Sequence, residues 1–313
     1  MDQLKVCFVG IGSIAKRHIK NLRGICEDRG ISLTIDAFRR NLDQVEGVAR
    51  IYTNEADLPF DYDVVFITNP TDQHLETLKT FHDRGKHFFI EKPVVSSKQI
   101  NKAKQFSLRR DSVYYVAAPL RYNAVIQWIK NNVDPRDVIS VRSISSSYLP
   151  DWRPGQDYRQ TYSAHKDMGG GVSIDLIHEW DYLTYLFGWP ERVSSMIGRK
   201  SDLEIDSDDY AIYIAEFANM IVELHLDYFG RKTIREIELF TNKDTIIGDI
   251  ANNKVVHMKS GKTLDFHEER DDYQKRELNH FLDMVIDKAE IEDGFHHSIE
   301  VLELTQGRRQ ESE

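Results

Sequence analysis

The chain is poor in cysteine, in long apolar segments and in positive charge. Its 313 residues contain 2 cysteines, Cys7 and Cys26, which excludes a disulfide framework and favours a reducing compartment. No apolar run approaches the length of a transmembrane helix, and the opening MDQLKVCFVG lacks the long apolar core of a signal peptide. The formal net charge of −10 disfavours binding to nucleic acid and to anionic membranes. We therefore expect a cytoplasmic protein with neither kind of partner.

The remaining composition is that of an ordinary globular protein, with 41% hydrophobic and 29% charged residues. A chain of this length suits about two domains, each large enough to bury its own core. We expect the first domain at residues 1–120 and the second at residues 121–313.

The first domain alternates apolar runs with helical patterns. Alternation of this kind predicts a parallel, doubly wound α/β sheet of the Rossmann type. The predicted strands are Leu4–Val9, Ser32–Phe38, Tyr62–Thr68, His87–Pro93 and Val113–Pro119. The predicted helices are Ile14–Ile25, Leu42–Ala49, Gln73–Arg84 and Lys98–Leu108.

The second domain has few helices between its strands. Consecutive strands joined by short turns indicate a large, open, mainly antiparallel sheet, and hence an α+β domain. The predicted strands are residues 138–149, Asp209–Phe217, Met220–Tyr228, Ile234–Phe240, Thr245–Ile250 and Lys254–Met258. The predicted helices are Ala124–Asn131, Ile174–Phe187, Asp272–Lys288 and Ser298–Arg308.

A glycine-rich turn, GIGSIA, joins the first strand to the first helix. The glycines of G-x-G-x-x-A allow a tight turn and a close approach of a pyrophosphate, and the helix N-terminus offers free N–H groups to it. The preceding strand and the following helix support a dinucleotide site over a turn kept for packing alone. The candidate cofactor-binding residues in this turn are Gly10, Gly12, Ser13, Ile14 and Ala15.

The end of the second strand distinguishes the two nicotinamide dinucleotides. An acidic residue there binds the ribose 2′-hydroxyl of NAD, whereas arginines accommodate the 2′-phosphate of NADP. The strand ends in IDAFRR, so that Asp36 lies inside it and Arg39 and Arg40 lie at its tip. This pattern favours NADP(H). A strand ending at Ile35 would instead make Asp36 the discriminating acid and favour NAD(H).

The third and fourth strands end in polar residues at the same edge of the sheet, where ligands of doubly wound folds bind. The third is followed by NPTDQH, and the fourth by Glu91-Lys92-Pro93. Pro93 prevents further strand pairing, because it has no N–H and a fixed φ, so Lys92 is presented at the crevice. These segments add Asn69, Pro70, His74, Glu91 and Lys92 to the candidate cofactor-binding residues.

These motifs, with GGGVSIDLIHEWDYLTYLFG further on, resemble the glucose–fructose oxidoreductase / inositol dehydrogenase (Gfo/Idh/MocA) family over nearly the whole chain. The resemblance implies a catalytic lysine at Lys92 and a catalytic carboxylate and histidine at Asp175 and His178, with the histidine as proton acceptor. The family spacing is more often i, i+4, whereas DLIH places the pair at i, i+3. Both spacings put two side chains on one face of a helix. The assignment of the base between His178 and Lys92 therefore stays open.

These residue types suit oxidation of an alcohol. Hydride transfer needs a group that removes the hydroxyl proton and a cofactor that accepts hydride. A neutral histidine titrates near physiological pH, and a carboxylate can orient it. We predict an NAD(P)-dependent oxidoreductase that acts on a carbohydrate-like alcohol or ketone, with no metal.

A polar loop before the GGG segment is rich in aromatic and arginine side chains, which suit a sugar that carries a carboxylate or phosphate. A surface loop that closes on its own aromatic residues is the alternative. The predicted substrate is an acidic or nucleotide-activated sugar. The candidate substrate-binding residues are Arg121, Trp152, Arg153, Tyr158, Arg159 and Tyr162.

Two other functions fit the same fold. One is a non-catalytic dinucleotide-binding sensor or regulatory subunit, against which the complete set of Lys92, Asp175 and His178 argues. The other is an enzyme that oxidises and re-reduces one sugar during elimination or glycoside cleavage. A net change in nicotinamide absorbance separates the three. The resemblance also implies self-association as a homodimer or homotetramer through the open sheet.

Overall fold

The structure is a computed structural model that describes residues 2–286 and 293–307. The chain forms two compact units, one made of Met1–Ala117 and Arg270–Ile299 and the other of Ala118–Glu269 and Glu300–Glu313. Among the residues described, no helix is both long enough and apolar enough to cross a membrane.

The first unit contains a six-stranded sheet with the order β3-β2-β1-β4-β5-β6. Every strand pair in it is parallel. The strands are β1 (Gln3–Val9), β2 (Ser32–Phe38), β3 (Arg50–Tyr52), β4 (Tyr62–Ile67), β5 (Gly85–Ile90) and β6 (Tyr114–Val116). The helices between them are α1 (Ser13–Asp28), α2 (His74–Phe81) and α3 (Ile100–Lys104). The predicted Rossmann-type sheet is confirmed.

The connection from β2 to β3 differs from the prediction. The apolar residues of 42–49 have helical spacing, but no helix forms there and the short strand β3 follows directly. Gly47 has φ +80, and Leu42 is 64% exposed, so the apolar side chains of this segment do not share a buried face. A helix this short depends for its stability on packing of an apolar face, and without one the predicted helix does not form.

The helix α7 (Arg270–Ile286) joins the core of the first unit. Its Phe281 ring lies edge-on to Phe66 of β4 and Phe89 of β5, with centroids 6.0 and 5.3 Å apart. The predicted boundary near residue 120 had placed this helix in the second domain. The apolar face of α7 explains its place, because Leu278, Phe281 and Leu282 are fully buried in the same cluster as β1 and β4. The predicted end of this helix at Lys288 lies outside the described residues.

The second unit contains an eight-stranded sheet with the order β14-β13-β12-β11-β7-β10-β9-β8. All pairs are antiparallel except β7–β10, which confirms the predicted open, mainly antiparallel sheet. The strands are β7 (Val138–Tyr148), β8 (Arg192–Gly198), β9 (Tyr210–Glu216), β10 (Ile221–Asp227), β11 (Phe229–Thr241), β12 (Thr245–Asp249), β13 (Lys254–His257) and β14 (Thr263–Asp265). The helices are α4 (Ala124–Asn132), α5 (Val172–Asp175) and α6 (His178–Phe187), and α8 (Gly294–Leu304) ends in this unit. The predicted end of the last helix at Arg308 lies outside the described residues.

The predicted helix Ile174–Phe187 is two helices. The α5 helix ends at Asp175, and α6 begins at His178. Leu176 between them has φ −98 and ψ 30, outside the helical region, which interrupts the regular hydrogen bonding. The interpretation that Asp175 and His178 share one face of a continuous helix is therefore wrong.

Candidate functional site

The glycine turn lies between β1 and α1, as the sequence predicts. Gly10 has φ +82, and a Cβ atom at this position would lie 2.7 Å from the Cα of Asn69. Gly12 precedes the first turn of α1 and offers no side chain to cap it. The first N–H groups of the helix are therefore available to a ligand, whereas the missing Cβ of Gly10 permits its close packing against the backbone of Asn69.

A cavity of about 660 Å³ opens beside this turn, at the carboxyl ends of β1, β2 and β4. It brings together residues that the sequence analysis proposed from three separate motifs. The predicted cofactor residues that line it are Gly10, Arg39, Arg40, Asn69 and Pro70. Its shape and position suit the adenosine end of a dinucleotide in a doubly wound fold.

The β2 strand ends at the residue that the sequence predicts, beyond Asp36. The strand continues to Phe38, so Asp36 lies inside it and is buried. The hydroxyl of Tyr62 donates to Asp36 Oδ2 at 3.0 Å. Burial raises the pKa of Asp36, against the lowering effect of that hydrogen bond. Asp36 is thus enclosed in the sheet, and Arg39 and Arg40 are the charged residues at its tip.

His74 contacts the backbone of the turn after β4 and is not among the residues that line the cavity. Its Nε2 lies 2.9 Å from the carbonyl oxygen of Asn69, and its Nδ1 lies 3.1 Å from that of Pro93. Burial lowers the pKa of His74, although these backbone contacts act in the opposite direction. The side chain is almost completely buried. We therefore assign His74 to positioning the two turns, not to cofactor contact.

Glu91 and Lys92 follow the last residue of β5. The backbone N–H of Glu91 donates to Ile67 O of β4 at 2.9 Å, which carries the strand pairing up to the Glu-Lys pair. The Glu91 carboxylate is held by His18 of α1, with 2.6 Å between Nε2 and Oε1. Lys92 is partly buried. No pattern in the sequence had indicated His18, because its partner is 73 residues away.

In the second unit, Asp175 is buried at the end of α5 between two tyrosines. The hydroxyl of Tyr228 donates to Asp175 Oδ2 at 2.6 Å. Burial raises the pKa of Tyr228 and Tyr162, and the charge of Asp175 and a hydrogen bond to it raise both further. Both hydroxyls therefore keep their protons, and they can stabilise the carboxylate as an anion.

The helix α5 is preceded by the GGG segment, whose last glycine is tightly enclosed. Gly171 has φ +131, and a Cβ atom there would meet the carboxylate of Asp208. That carboxylate also accepts from the N–H of Ser173, at 2.9 Å, in the first turn of α5. His178, the first residue of α6, is partly buried. The glycine thus permits the turn that leads into α5, at whose end Asp175 lies.

The predicted substrate loop connects to Asp175 through aromatic contacts. The Trp152 ring lies edge-on to Tyr228 with centroids 5.2 Å apart, and its indole N–H donates to Ser147 Oγ at 2.9 Å. The Arg153 guanidinium lies 5.4 Å from the centre of the Tyr162 ring. Trp152 therefore contacts one of the two tyrosines beside Asp175, Tyr228, and Arg153 contacts the other, Tyr162.

Three other predicted substrate residues have partners within the second unit. Arg121 forms a bidentate pair with Asp181, at 3.0 and 2.7 Å. Arg159 pairs with Asp157 and with Glu204. The Tyr158 hydroxyl accepts from the N–H of Glu204 at 3.2 Å. Arg159–Asp157 is a contact within the loop, whereas the contacts to Glu204 and the Arg121–Asp181 pair join other parts of the second unit.

One group of potential metal ligands occurs among the described residues. His165, Asp167 and Asp206 place one ligand atom each within 4.8 Å of one another. The group is largely exposed, and two of its members have internal partners. His165 Nε2 contacts Arg159 O at 2.8 Å, and Asp206 accepts from the N–H of Lys166. We interpret the group as hydrogen bonding within the loop.

Both halves of the chain match models of one protein family. Residues 4–117 match "Oxidoreductase family, NAD-binding Rossmann fold", and residues 127–247 match "GFO/IDH/MocA C-terminal domain". An inositol 2-dehydrogenase of Rhizobium meliloti (strain 1021) is 24% identical over 209 residues, which are 64% of this chain. The chain spans 61% of that relative, less than two thirds of its length.

Solved structures of similar fold extend over almost the whole chain. A levoglucosan dehydrogenase in complex with NADH has a TM-score of 0.84 at 15% identity, over 97% of this chain and 95% of that one. A UDP-N-acetylglucosamine 3-dehydrogenase from Acidithiobacillus ferrooxidans has a TM-score of 0.76 at 17% identity, over 98% and 96%. At these identities the likeness establishes the fold alone.

Proposed function

We propose that this chain, which belongs to the GFO/IDH/MocA oxidoreductase family, transfers hydride between a nicotinamide dinucleotide and a carbohydrate-like alcohol or ketone. The observation that carries the proposal is the cavity beside the glycine turn, which collects cofactor residues from three motifs. The glycine turn adds to it, because Gly12 provides no side-chain cap and leaves the first N–H groups of α1 to a pyrophosphate. The dinucleotide would be held by Gly10, Gly12 and the first turn of α1.

We assign NADP(H) as the preferred cofactor. Arg39 and Arg40 line the cavity and can bind a 2′-phosphate through charge-assisted hydrogen bonds. Arg39 already donates to the carbonyl of Asp43 at 3.2 Å, which leaves further N–H groups of its guanidinium for a ligand. Asp36, the acid that would select NAD, is buried against Tyr62.

Titration of both dinucleotides tests this choice. We expect Arg39→Ala and Arg40→Ala to weaken NADPH binding by about tenfold or more each, because each removes a charge-assisted hydrogen bond, and to leave NADH binding nearly unchanged. Lys86→Ala, on the exposed start of β5, is the matched control. The assignment would be excluded if NADH bound as tightly as NADPH and if Arg39→Ala did not change NADH binding.

We assign the proton chemistry to Lys92, Asp175 and His178. The nicotinamide supplies the hydride acceptor. His178 takes the hydroxyl proton of the alcohol, and Asp175 is the carboxylate of the same site. Lys92 donates a hydrogen bond to the reacting oxygen, where negative charge develops. The anchoring of Asp175 by Tyr162 and Tyr228 supports this role, because the hydrogen bonds fix the position of the carboxylate.

Turnover of single variants tests the catalytic assignment. We expect Lys92→Ala and His178→Ala to lower kcat by roughly 10²–10⁴ while dinucleotide binding changes little. Lys86→Ala again serves as the control for loss of a lysine. Near-normal turnover in both catalytic variants would exclude these residues as the catalytic pair.

We propose an acidic or nucleotide-activated sugar as substrate, bound by Trp152, Arg153 and Tyr162. The arginine over an aromatic face supports it, because such a pair suits a sugar ring with a carboxylate or phosphate. A screen of sugar acids, nucleotide sugars and neutral polyols with both nicotinamides tests the class. Faster turnover of neutral polyols, with no effect of Arg153→Ala, would rule it out.

The same screen separates the rival functions. Net reduction or oxidation of nicotinamide, followed by its absorbance, identifies a dehydrogenase or reductase. A sugar that is converted without net absorbance change identifies transient use of the bound dinucleotide. Binding of dinucleotide with no conversion of any sugar identifies a sensor.

We also propose a homodimer or homotetramer formed through the open sheet. Met196, Ile214 and Ile221 are exposed on neighbouring strands β8, β9 and β10. Apolar side chains on an uncovered sheet face mark a surface for association. Light scattering after size exclusion, with Ile214→Asp as the variant, tests it; a monomeric wild type would contradict it.

A further inference from the structure

A buried histidine–carboxylate pair, His18 and Glu91, lies next to Lys92. His18 of α1 is 1% exposed, and the side chain of Glu91 is 14% exposed. Their nitrogen and oxygen atoms are 2.6 Å apart, a short distance typical of a hydrogen bond to a charged group. The pair connects the helix that follows the glycine turn with the turn that carries Lys92.

Aromatic rings enclose the histidine. Its ring centre lies 5.0 Å from that of Phe89 in an edge-on arrangement, and 6.0 Å from that of Phe66. Among the residues that the structure describes, His18 Nδ1 is buried without a hydrogen-bond partner. An unpaired acceptor costs less in a protein interior than an unpaired N–H donor. The imidazole is therefore best placed with its proton on Nε2, from which it donates to Glu91.

The carboxylate of Glu91 remains ionised in this setting. Burial acts to raise its pKa, but the hydrogen bond from His18 and the electrostatic interactions with His18, Lys92 and His74 outweigh burial, so that the pKa lies below its ordinary value. The titratable groups around Glu91 are thus His18 on α1, His74 on α2 and Lys92 beside it. One carboxylate oxygen contacts His18, and the other, Oε2, accepts from the backbone N–H of Lys92 at 3.3 Å.

We propose that His18 and Glu91 act together as positioning residues for Lys92, with His18 fixing the Glu91 carboxylate so that it orients the Lys92 backbone and keeps the ammonium charged. The inference rests on the catalytic role proposed for Lys92. It reassigns Glu91, which the sequence suggested as a cofactor contact. The charge of a fixed carboxylate beside an amine favours its protonated form. A protonated Lys92 is the form that can donate a hydrogen bond to the reacting oxygen.

The titration of Lys92 tests the inference without any substrate. Lysines of the full chain are methylated reductively with ¹³C, and the Lys92 signal is assigned by its loss in Lys92→Arg. We expect Glu91→Gln to lower the midpoint of the Lys92 titration by about one pH unit or more. His18→Ala should lower it in the same direction, because the carboxylate is no longer held. His18→Gln, which keeps an N–H donor, should recover most of the wild-type value.

Controls separate positioning from general stability. The Lys86 signal in the same spectra should not move, and Asp83→Asn, which removes an exposed acid, should leave Lys92 unchanged. Thermal unfolding of each variant is measured in parallel. A Lys92 midpoint that stays the same in Glu91→Gln and in His18→Ala, even where both variants unfold at lower temperature, overturns the inference.

Kinetics supply the second readout. With a substrate that the wild type oxidises, Glu91→Gln and His18→Ala should lower kcat by about 10- to 100-fold, with the NADPH dissociation constant within about threefold of wild type. If the variants changed only the NADPH dissociation constant and not kcat, Glu91 would be a cofactor contact, and the positioning role would be overturned. Absence of turnover in the wild type would count against the proposed function, whereas the Lys92 titration would still decide this inference.

Discussion

Tyr228 donates its hydroxyl proton to Asp175, with 2.6 Å between the two oxygens. Tyr228 lies between β10 and β11, and Asp175 is the last residue of α5, so the hydrogen bond fixes the short helix against the sheet. Burial, followed by the charge of Asp175, raises the pKa of Tyr228 well above its usual value. The tyrosine is thus protonated at neutral pH, and it remains a donor.

Tyr228→Phe should lower both stability and turnover. Loss of a hydrogen bond to a charged acceptor costs about 1.5–3 kcal/mol of unfolding free energy, which denaturant titration measures. Because Asp175 loses an anchor, kcat should fall by about tenfold or more, while the dinucleotide dissociation constant should not change. Tyr213→Phe is the matched control, since Tyr213 is equally buried and donates to Thr305 O at 2.7 Å. Equal kcat in both variants would contradict a catalytic role for Asp175.

Substitution of the two turn glycines should separate folding from cofactor binding. Gly10→Ala adds a Cβ at φ +82 against the backbone of Asn69, so we expect a loss of about 2 kcal/mol or more in unfolding free energy together with weak NADPH binding. Gly12→Ala meets no atom within 4 Å, so stability should change by less than about 1 kcal/mol. Its NADPH binding should nonetheless weaken, because the methyl group occupies the approach of the pyrophosphate. Normal NADPH binding by Gly12→Ala would argue against a dinucleotide at this turn.

Local patterns predicted the parts of the fold that depend on neighbours in sequence. The strand–glycine turn–helix unit follows from an apolar run, a Gly10 that adopts positive φ and the helical spacing of Ile19, Leu22 and Ile25. The tip of β2 was predicted at Phe38, where the structure ends the strand, which resolves the position of Asp36. The edge strands β3, β8 and β14 were missed, because they are short or mostly exposed and carry no alternating apolar pattern.

Long-range contacts account for what the sequence could not predict. His18 and Glu91 form a hydrogen bond although 73 residues separate them in sequence, and Tyr228 and Asp175 are separated by 53. The α7 helix reaches the core of the first unit from the far end of the chain, with Phe281 against Phe66 and Phe89. The interruption between α5 and α6 lies at Leu176, and the hydrophobic periodicity of the segment does not indicate it.

The buried His74 should make stability depend on pH. Burial lowers its folded-state pKa below the ordinary value of 6.5, so the unfolded chain binds the proton more tightly. The stabilisation is complete above pH 6.5 and is lost as pH falls below it, with a slope of up to about 1.4 kcal/mol per pH unit for one proton. We expect His74→Gln to show a smaller loss of unfolding free energy than wild type between pH 7.5 and 5.5.

The chain contains 12 histidines, so the comparison needs a control. His267→Gln removes a histidine that is 85% exposed and should preserve the wild-type dependence on pH. Denaturant titrations of the three proteins at four pH values give the difference. If the unfolding free energies of His74→Gln and wild type changed equally with pH, the protonation of His74 would not contribute to the pH dependence of stability.

A buried ion pair beside His178 should be the costliest to break in the second unit. Glu179 is 0% exposed, and its Oε1 lies 2.7 Å from Nε of Arg235, whose side chain is 25% exposed. Arg235→Met leaves a buried carboxylate without its cation, which should cost about 3–5 kcal/mol of unfolding free energy. Glu179→Gln should cost less, because the partly exposed guanidinium can reach water.

The double variant and a surface pair complete the test. Glu179→Met with Arg235→Met replaces the pair by apolar groups of similar volume, so its stability should return towards that of the wild type. Arg192→Ala breaks a pair with Glu216 of similar length, 2.8 Å, but the arginine is 71% exposed, and the cost should stay below about 1 kcal/mol. If Arg235→Met were no more destabilising than Arg192→Ala, burial would not make the Glu179–Arg235 pair costlier to break than a surface pair, and the prediction would be wrong.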